Sequence, residues 1–261
     1  MYPEVRTVWI GADSILYATA HRPWPLPDGQ WAMTQTWNDL LFAHFQMDKE
    51  RLRALIPQSL ALDLYDGQAW ISVTPFWISN LRPPGVPPMP LVSRFPELNV
   101  RTYVTYGGKP GVFFFSLDAG NLSAVWGARL FYRLPYWHAD MKTLVHDGWI
   151  EYRSRRLHGP KSNGRAAEFR GRYRPITVAR TATPGSLDEF LSERYCLYAV
   201  TRKHLYCAEI HHLPWELQMA EVETEIETMR EAAGLDESLG PPVYRFSKRL
   251  KVLVWGPEKL K

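Results

Sequence analysis

Glu97, Asn99, Arg101 and Tyr103 occupy every second position of "FPELNVRTYV", and a strand puts alternate residues on one face. On such a face a guanidinium can grip a carboxylate through paired hydrogen bonds, while an acid and a phenol beside it orient or exchange protons. The same residues would also serve as an outward polar face, or as an Arg-Glu pair that only stabilises a sheet. His44, after the apolar run "LLFA", adds a ligand-binding candidate. An imidazole there either fills a partly buried structural place or changes charge near neutrality.

Other chemistries find less support. The eight histidines include no metal-ligand spacing, and His211 and His212, adjacent on a strand, are expected on opposite faces. No metal site is expected. "GGKPG" lacks the spacing and the Ser/Thr of a phosphate loop, and there is no G-x-G-x-x-G element, so no cofactor is expected either. Arg153, Arg155, Arg170, Arg172 and Arg174 alternate along "WIEYRSRRL" and "AAEFRGRYRPI" and form a stripe that could meet phosphates. Tyr152, Phe169 and Tyr173 fall on the opposite side, where they cannot stack on bases. A solvated face is the plainer reading, and nucleic acid is not the expected partner.

The elements that would position these residues are short. "DKERLRALIP" reads as a short helix capped by Asp48, with Leu52, Leu55 and Ile56 on one face and Pro57 after its end. "LALDLYDGQAWISVTPF" reads as a hairpin about Asp66-Gly67, and "ELNVRTYVTYGGKPGVFFFSLDA" repeats that pattern about Gly107 to Gly111. Asn121 caps a helix through about Phe131, with Leu122, Val125, Trp126 and Leu130 at helical spacing. "SLDEFLSERY" reads as a helix that starts with Ser186 and Glu189 in capping-box spacing, with Leu187, Phe190, Leu191 and Arg194 at the helical period. "YCLYAVTRKHLYCAEIHHLPW" is a further hairpin, "AEVETEIET" a half-exposed strand before a short helix near Met229, and "LKVLVW" the last strand. "RPPGVPPMP" (82–90) is a stiff loop within the domain.

Composition sets the limits. A chain of 261 residues, 46% of them hydrophobic, buries a substantial core, and one domain over 1–261 is expected. Pro (21) outnumbers Gly (17), which favours short strands and rigid loops over long helices. A net charge of +4 carries no information about partners by itself. Cys196 and Cys207 match neither a disulfide framework nor a zinc site and are expected as free thiols on neighbouring strands. The start, with Glu4 and Asp13, lacks the pattern of a signal peptide, and no apolar run is long enough to span a bilayer. A cytoplasmic protein without a membrane partner is expected.

"LLFAHFQMDKERLRALIP", "FPELNVRTYV", "KPGVFFFSLDA", "ARLFYRLPYWHADM", "FLSERYCLY" and "HHLPWEL" together resemble the YqjF-like family of uncharacterised bacterial proteins. That family is grouped with the acetoacetate decarboxylase-like superfamily. The resemblance, from about Trp37 to Trp255, implies an α+β fold: a mainly antiparallel β-barrel with three or four short flanking helices and an internal pocket. In the decarboxylases the pattern Gly-Arg-Glu-x-x-Gly-x-Pro-Lys-Lys carries the lysine that forms a Schiff base. Aligned on the proline, Ala128 takes the first Gly position, Arg129 matches the Arg, Leu130 replaces the Glu and Arg133 the second Gly. Tyr136 and Trp137 replace the two lysines. A phenol cannot condense with a carbonyl. Lys109 and Lys142 do not restore the motif.

The leading expectation is a binding protein for a small anionic molecule, a carboxylate or keto acid, held in the pocket by Arg101, Asn99, Tyr103 and His44. A further expectation is that Arg101 and Arg129 converge on that pocket. An alternative is an acid-base enzyme acting on such an acid through Glu97, Tyr136 and Arg129, without an imine. A third is a basic-surface module for nucleic acid or protein. The sequence assigns no oligomeric state and leaves open whether the chain is an enzyme.

Overall fold

The computed structural model describes residues 15–89, 92–162, 164–201 and 204–260. Glu4 and Asp13, and the last proline of the 82–90 loop, lie outside these residues. Five long or medium strands form a central wall: β1 (Met33–Met47), β3 (Ala69–Arg82), β4 (Phe95–Tyr106), β5 (Lys109–Ala119) and β14 (Val243–Val254). They pair antiparallel in the order β14-β1-β3-β4-β5.

The sheet closes on itself on both sides of this wall. On one side β11 (Cys196–Val200) pairs parallel with β5 and antiparallel with β12 (Leu205–His211), and β12 returns to β14. On the other, β6 (Tyr136–His146) pairs parallel with β5 and is followed by β7 (Trp149–Arg156), β10 (Glu168–Pro175) and β13 (Gln218–Glu227), which rejoins β14. The architecture is mainly antiparallel, as expected, with two parallel contacts, both made by β5.

The wall separates two apolar cores. Phe42, Phe76, Phe114, Ile210, Trp215 and Val252 belong to one, and Leu41, Val73, Leu98, Val100, Tyr152 and Phe246 to the other. Strands buried on both faces must be apolar throughout or carry polar groups that find partners inside. β3 is apolar over most of its buried length, whereas β4 places Glu97, Asn99 and Arg101 in the interior. Of the two readings of the polar face of β4, pocket-lining or outward, burial favours the inner one.

Short helices flank the sheet, among them α1 (Lys49–Leu55), α2 (Leu122–Gly127), α3 (Leu187–Ser192) and α4 (Met229–Ala232). The side chains of Asp48, Asn121 and Ser186 accept from the backbone N–H groups of Arg51, Ala124 and Glu189, so all three N-caps are as expected. Two other readings need correction. Leu62 lies in β2 (Ala61–Leu62), which pairs with β4 and not with β3; Tyr65 and Gln68 alone bridge the Asp66-Gly67 turn. The turn itself forms, with φ of 49° and 75° at its two residues.

The second correction concerns α2, which gives way after Gly127 to a π turn over Ala128–Tyr132. The wider turn rotates later residues away from the α-helical stripe. Only Val125 of the expected apolar stripe is buried; Leu122, Trp126 and Leu130 are exposed.

The arginine stripe forms as expected on paired strands, with Arg153 opposite Arg170 and with Tyr152, Phe169 and Tyr173 buried. β13 supplies its counter-charges: Arg170, Arg172 and Arg174 pair with Glu225, Glu223 and Glu221 at 3.0, 2.8 and 2.7 Å. Half-buried Trp149 lies under Arg172 and Arg174. Guanidiniums already held by carboxylates and an indole offer little to a polyanion. Among the described residues no helix is long and apolar enough to cross a membrane. Cys196 and Cys207 are free and buried on neighbouring strands.

Candidate functional site

The polar face of β4 opens onto an internal cavity of about 50 Å³ on the β11–β12 side of the wall. Glu97, Asn99 and Arg101 line it along the strand. Tyr136 enters at the start of β6, Arg194 follows α3, and Trp37, His212 and Trp215 lie on other walls.

Arg101 decides the chemistry of this space. It is 8% exposed, and its Nε and Nη2 have no hydrogen-bond partner. No carboxylate forms an ion pair with it among the described residues. Burial lowers the Arg101 pKa, against the raising effect of Tyr103 beside it, and Arg194 lowers it further. Arg194 is itself compensated: its Nη1 donates to Asp63, and its Nε donates to the Phe190 carbonyl at 2.6 Å. A buried guanidinium without a paired carboxylate costs several kcal/mol, and two nitrogens of Arg101 are left without an acceptor. Trp37 and Trp215 line the same cavity, and their indole N–H groups are also buried without partners.

At the other end of the face Tyr136 Oη donates to Glu97 Oε2 at 2.9 Å. Burial pushes the Glu97 carboxyl up to about 8, against the opposing effect of the Tyr136 hydrogen bond. Near neutrality it therefore holds a proton much of the time. Burial, followed by the Glu97 charge, holds the Tyr136 phenol well above its usual range. Asn99 is tied to the wall by Thr74 Oγ1, which donates to its Oδ1.

His44 and Tyr103 stand beside Arg101 without lining the cavity. The His44 Nδ1 lies 2.6 Å from Ser72 Oγ and 3.1 Å from Tyr103 Oη, and the Ser72 and Tyr103 hydroxyls share a further hydrogen bond. Burial, then Arg101, holds His44 well below the ordinary imidazole range. It is a neutral member of a buried network and not a charged ligand.

Arg129 is not in this site. It is exposed, its Nε donates to the Tyr136 carbonyl at 2.6 Å, and its guanidinium stacks on Trp137. The π turn and the left-handed Arg133 that ends it swing the segment outward. The expected convergence of Arg101 and Arg129 is absent; Arg194 is the second guanidinium. Trp37, Arg194, His212 and Trp215 were missed as site residues. "FLSERYCLY" and "HHLPWEL", which contain Arg194, His212 and Trp215, carried that signal. His212, just past the end of β12, lines the cavity, while His211 Nε2 shares a hydrogen bond with the Ile15 carbonyl. Burial lowers both to about 4.

The family model for DUF2071, described as an uncharacterised conserved protein, matches residues 34–251. The chain belongs to the DUF2071 family. Its relative YqjF of Bacillus subtilis (strain 168), an uncharacterised protein, is 50% identical over 230 residues, covering 88% of this chain and 93% of YqjF. The DUF2071 chain is also similar in structure to the acetoacetate decarboxylase of Legionella pneumophila, with a TM-score of 0.58 at 12% identity, covering 94% of each chain. The enduracididine biosynthesis enzyme MppR, solved in complex with pyruvate, matches with a TM-score of 0.59 at 11% identity over 92% of this chain and 93% of that one. These likenesses show an acetoacetate decarboxylase-like fold for this DUF2071 member. No lysine lines its cavity among the described residues, and Tyr136 enters where the resemblance would place the decarboxylase lysine.

Proposed function

We propose that this protein binds a small carboxylate or keto acid in the interior cavity, without an imine. The observation that carries this reading is Arg101: buried, with two N–H-bearing nitrogens unpartnered and no paired carboxylate. A ligand carboxylate on Nε and Nη2 would satisfy both and offset the desolvation of the cation. The indoles of Trp37 and Trp215 offer further donors to such a ligand. The similar MppR was solved with pyruvate, which is an acid of this class. The free thiols of Cys196 and Cys207 suit a reducing compartment such as the cytoplasm.

A second reading is favoured by one further observation, the Tyr136-Glu97 hydrogen bond within the same cavity. A carboxyl that titrates at about 8 can take up or release a proton near neutrality. With the acid anchored on Arg101, Glu97 would exchange a proton with the ligand, and Tyr136 would orient it. Calorimetric titration with acetate, pyruvate and acetoacetate, with the matching amides as controls, tests the binding proposal. Binding of at least one acid and of none of the amides is expected; equal binding of acids and amides would overturn it. Exchange of ligand α-protons for deuterium, followed by NMR and lost in Glu97→Gln, would establish the catalytic reading.

A further inference from the structure

A second cavity adjoins the first, and its character is different. It measures about 360 Å³ and is lined mainly by apolar groups, among them Met33, Ile78, Leu81, Val92, Phe95 and Phe131. Gln35, Leu134, Tyr136 and Leu197 line both spaces, so the two meet across these four side chains. The inner space is the smaller, about 50 Å³ against about 360 Å³, which suits a polar head rather than a chain. The outer space lies within the range of drug-sized ligand sites, roughly 300–1,000 Å³.

We propose that the ligand is an amphiphilic acid: its carboxylate sits on Arg101, and an unbranched apolar chain runs past Tyr136 and Leu134 into the outer cavity. This rests on the carboxylate reading given above and extends it to a substrate class, medium-chain fatty or keto acids. The order of the two spaces supports it, with Arg101, Arg194 and hydrogen-bonding groups at the closed end and a mainly apolar channel beyond, in which Arg82 is the cationic lining residue. The outer lining residues Met89 and Phe131 are themselves 57% and 67% exposed, an apolar rim suited to the entry of an alkyl chain. Small residues keep the outer space open. Gly127 and Ala128 line it where α2 passes into the π turn, and a Cβ added at Gly127 would meet no atom within 4 Å. Gly127 has ordinary helical angles, so a side chain there strains no backbone.

The test is a calorimetric series of acetate, butanoate, hexanoate and octanoate against the full chain, with methyl octanoate as the uncharged control. Burial of a methylene raises affinity about fourfold, so octanoate should bind on the order of 100-fold tighter than butanoate, and methyl octanoate far more weakly than octanoate. Ala128→Leu and Gly127→Leu, each checked for a native circular dichroism spectrum, should reduce octanoate binding at least about tenfold and leave butanoate unchanged. If butanoate and octanoate bind equally to the wild type, or methyl octanoate binds as well as octanoate, the amphiphile assignment is wrong. The small-carboxylate reading survives the first of these results. If none of the acids binds, both fall together.

Discussion

Tyr136 and Glu97, on β6 and β4, are joined by a hydrogen bond of 2.9 Å inside the cavity that Arg101 also lines. This contact ties the segment that resembles the decarboxylase lysine motif to the polar face of β4. It also fixes the first expected outcome. Glu97 has its folded pKa raised from 4.5 to about 8, so it binds more protons folded than unfolded between those values. Its contribution to stability is full below pH 4.5 and is lost as pH rises toward 8. His211 and His212, lowered from 6.5 to about 4, act in the opposite sense, and their contribution is lost as pH falls below 6.5. Above pH 6.5 Glu97 dominates this set. Urea unfolding should show stability falling from pH 6.5 to 8, and Glu97→Gln should flatten that slope. A slope unchanged by Glu97→Gln would show that the carboxyl is not the group responsible.

A buried ion pair stands close by. Arg156 Nε and Nη2 donate to the two carboxylate oxygens of Asp118 at 2.7 and 2.6 Å, with both side chains almost fully enclosed. Removal of one partner leaves a buried charge alone, so Asp118→Ala should destabilise the protein by about 3–5 kcal/mol in chemical unfolding. A loss below about 1 kcal/mol would mean that water reaches the pair.

The arginine stripe should behave as an ordinary surface. Arg170→Gln with Arg172→Gln should change stability by no more than about 0.5 kcal/mol, because exposed ion pairs contribute little. Salt-sensitive binding of single-stranded DNA by the wild type, lost in the double variant, would overturn this view.

No imine should form with β-keto acids. The Lys109 ammonium donates to Glu209 Oε1 at 2.6 Å, away from the cavity, and Tyr136 cannot condense with a ketone. Borohydride treatment in the presence of acetoacetate should leave the intact mass unchanged. A reduced adduct on any lysine would restore Schiff-base chemistry to this chain.

The alternation in "FPELNVRTYV" made the shared face of Glu97, Asn99 and Arg101 legible, because a strand's period of two is local. The caps at Asp48, Asn121 and Ser186 were legible for the same reason. What that face meets was not. Whether a polar strand face looks at water or at a cavity depends on closure of β5 through β11 and β12 to β14, which joins segments far apart in sequence. Arg194 read as a helical position; only that closure brings it and Trp37 to the cavity that Arg101 lines. Arg129 failed for a local reason, since one π turn suffices to turn a helix-end arginine from the cavity to the surface.

The measurement that tests the central claim most directly is a thermal-shift comparison of the wild type and Arg101→Gln with small carboxylates. A ligand present at about 100 times its dissociation constant adds roughly 2.7 kcal/mol of stability to the state that binds it. At least one acid should therefore raise the wild-type Tm by several degrees, with no shift in folded Arg101→Gln and a retained shift in Lys109→Ala. An equal shift in Arg101→Gln and the wild type would contradict the account, because the acid would then be held somewhere other than on the buried guanidinium.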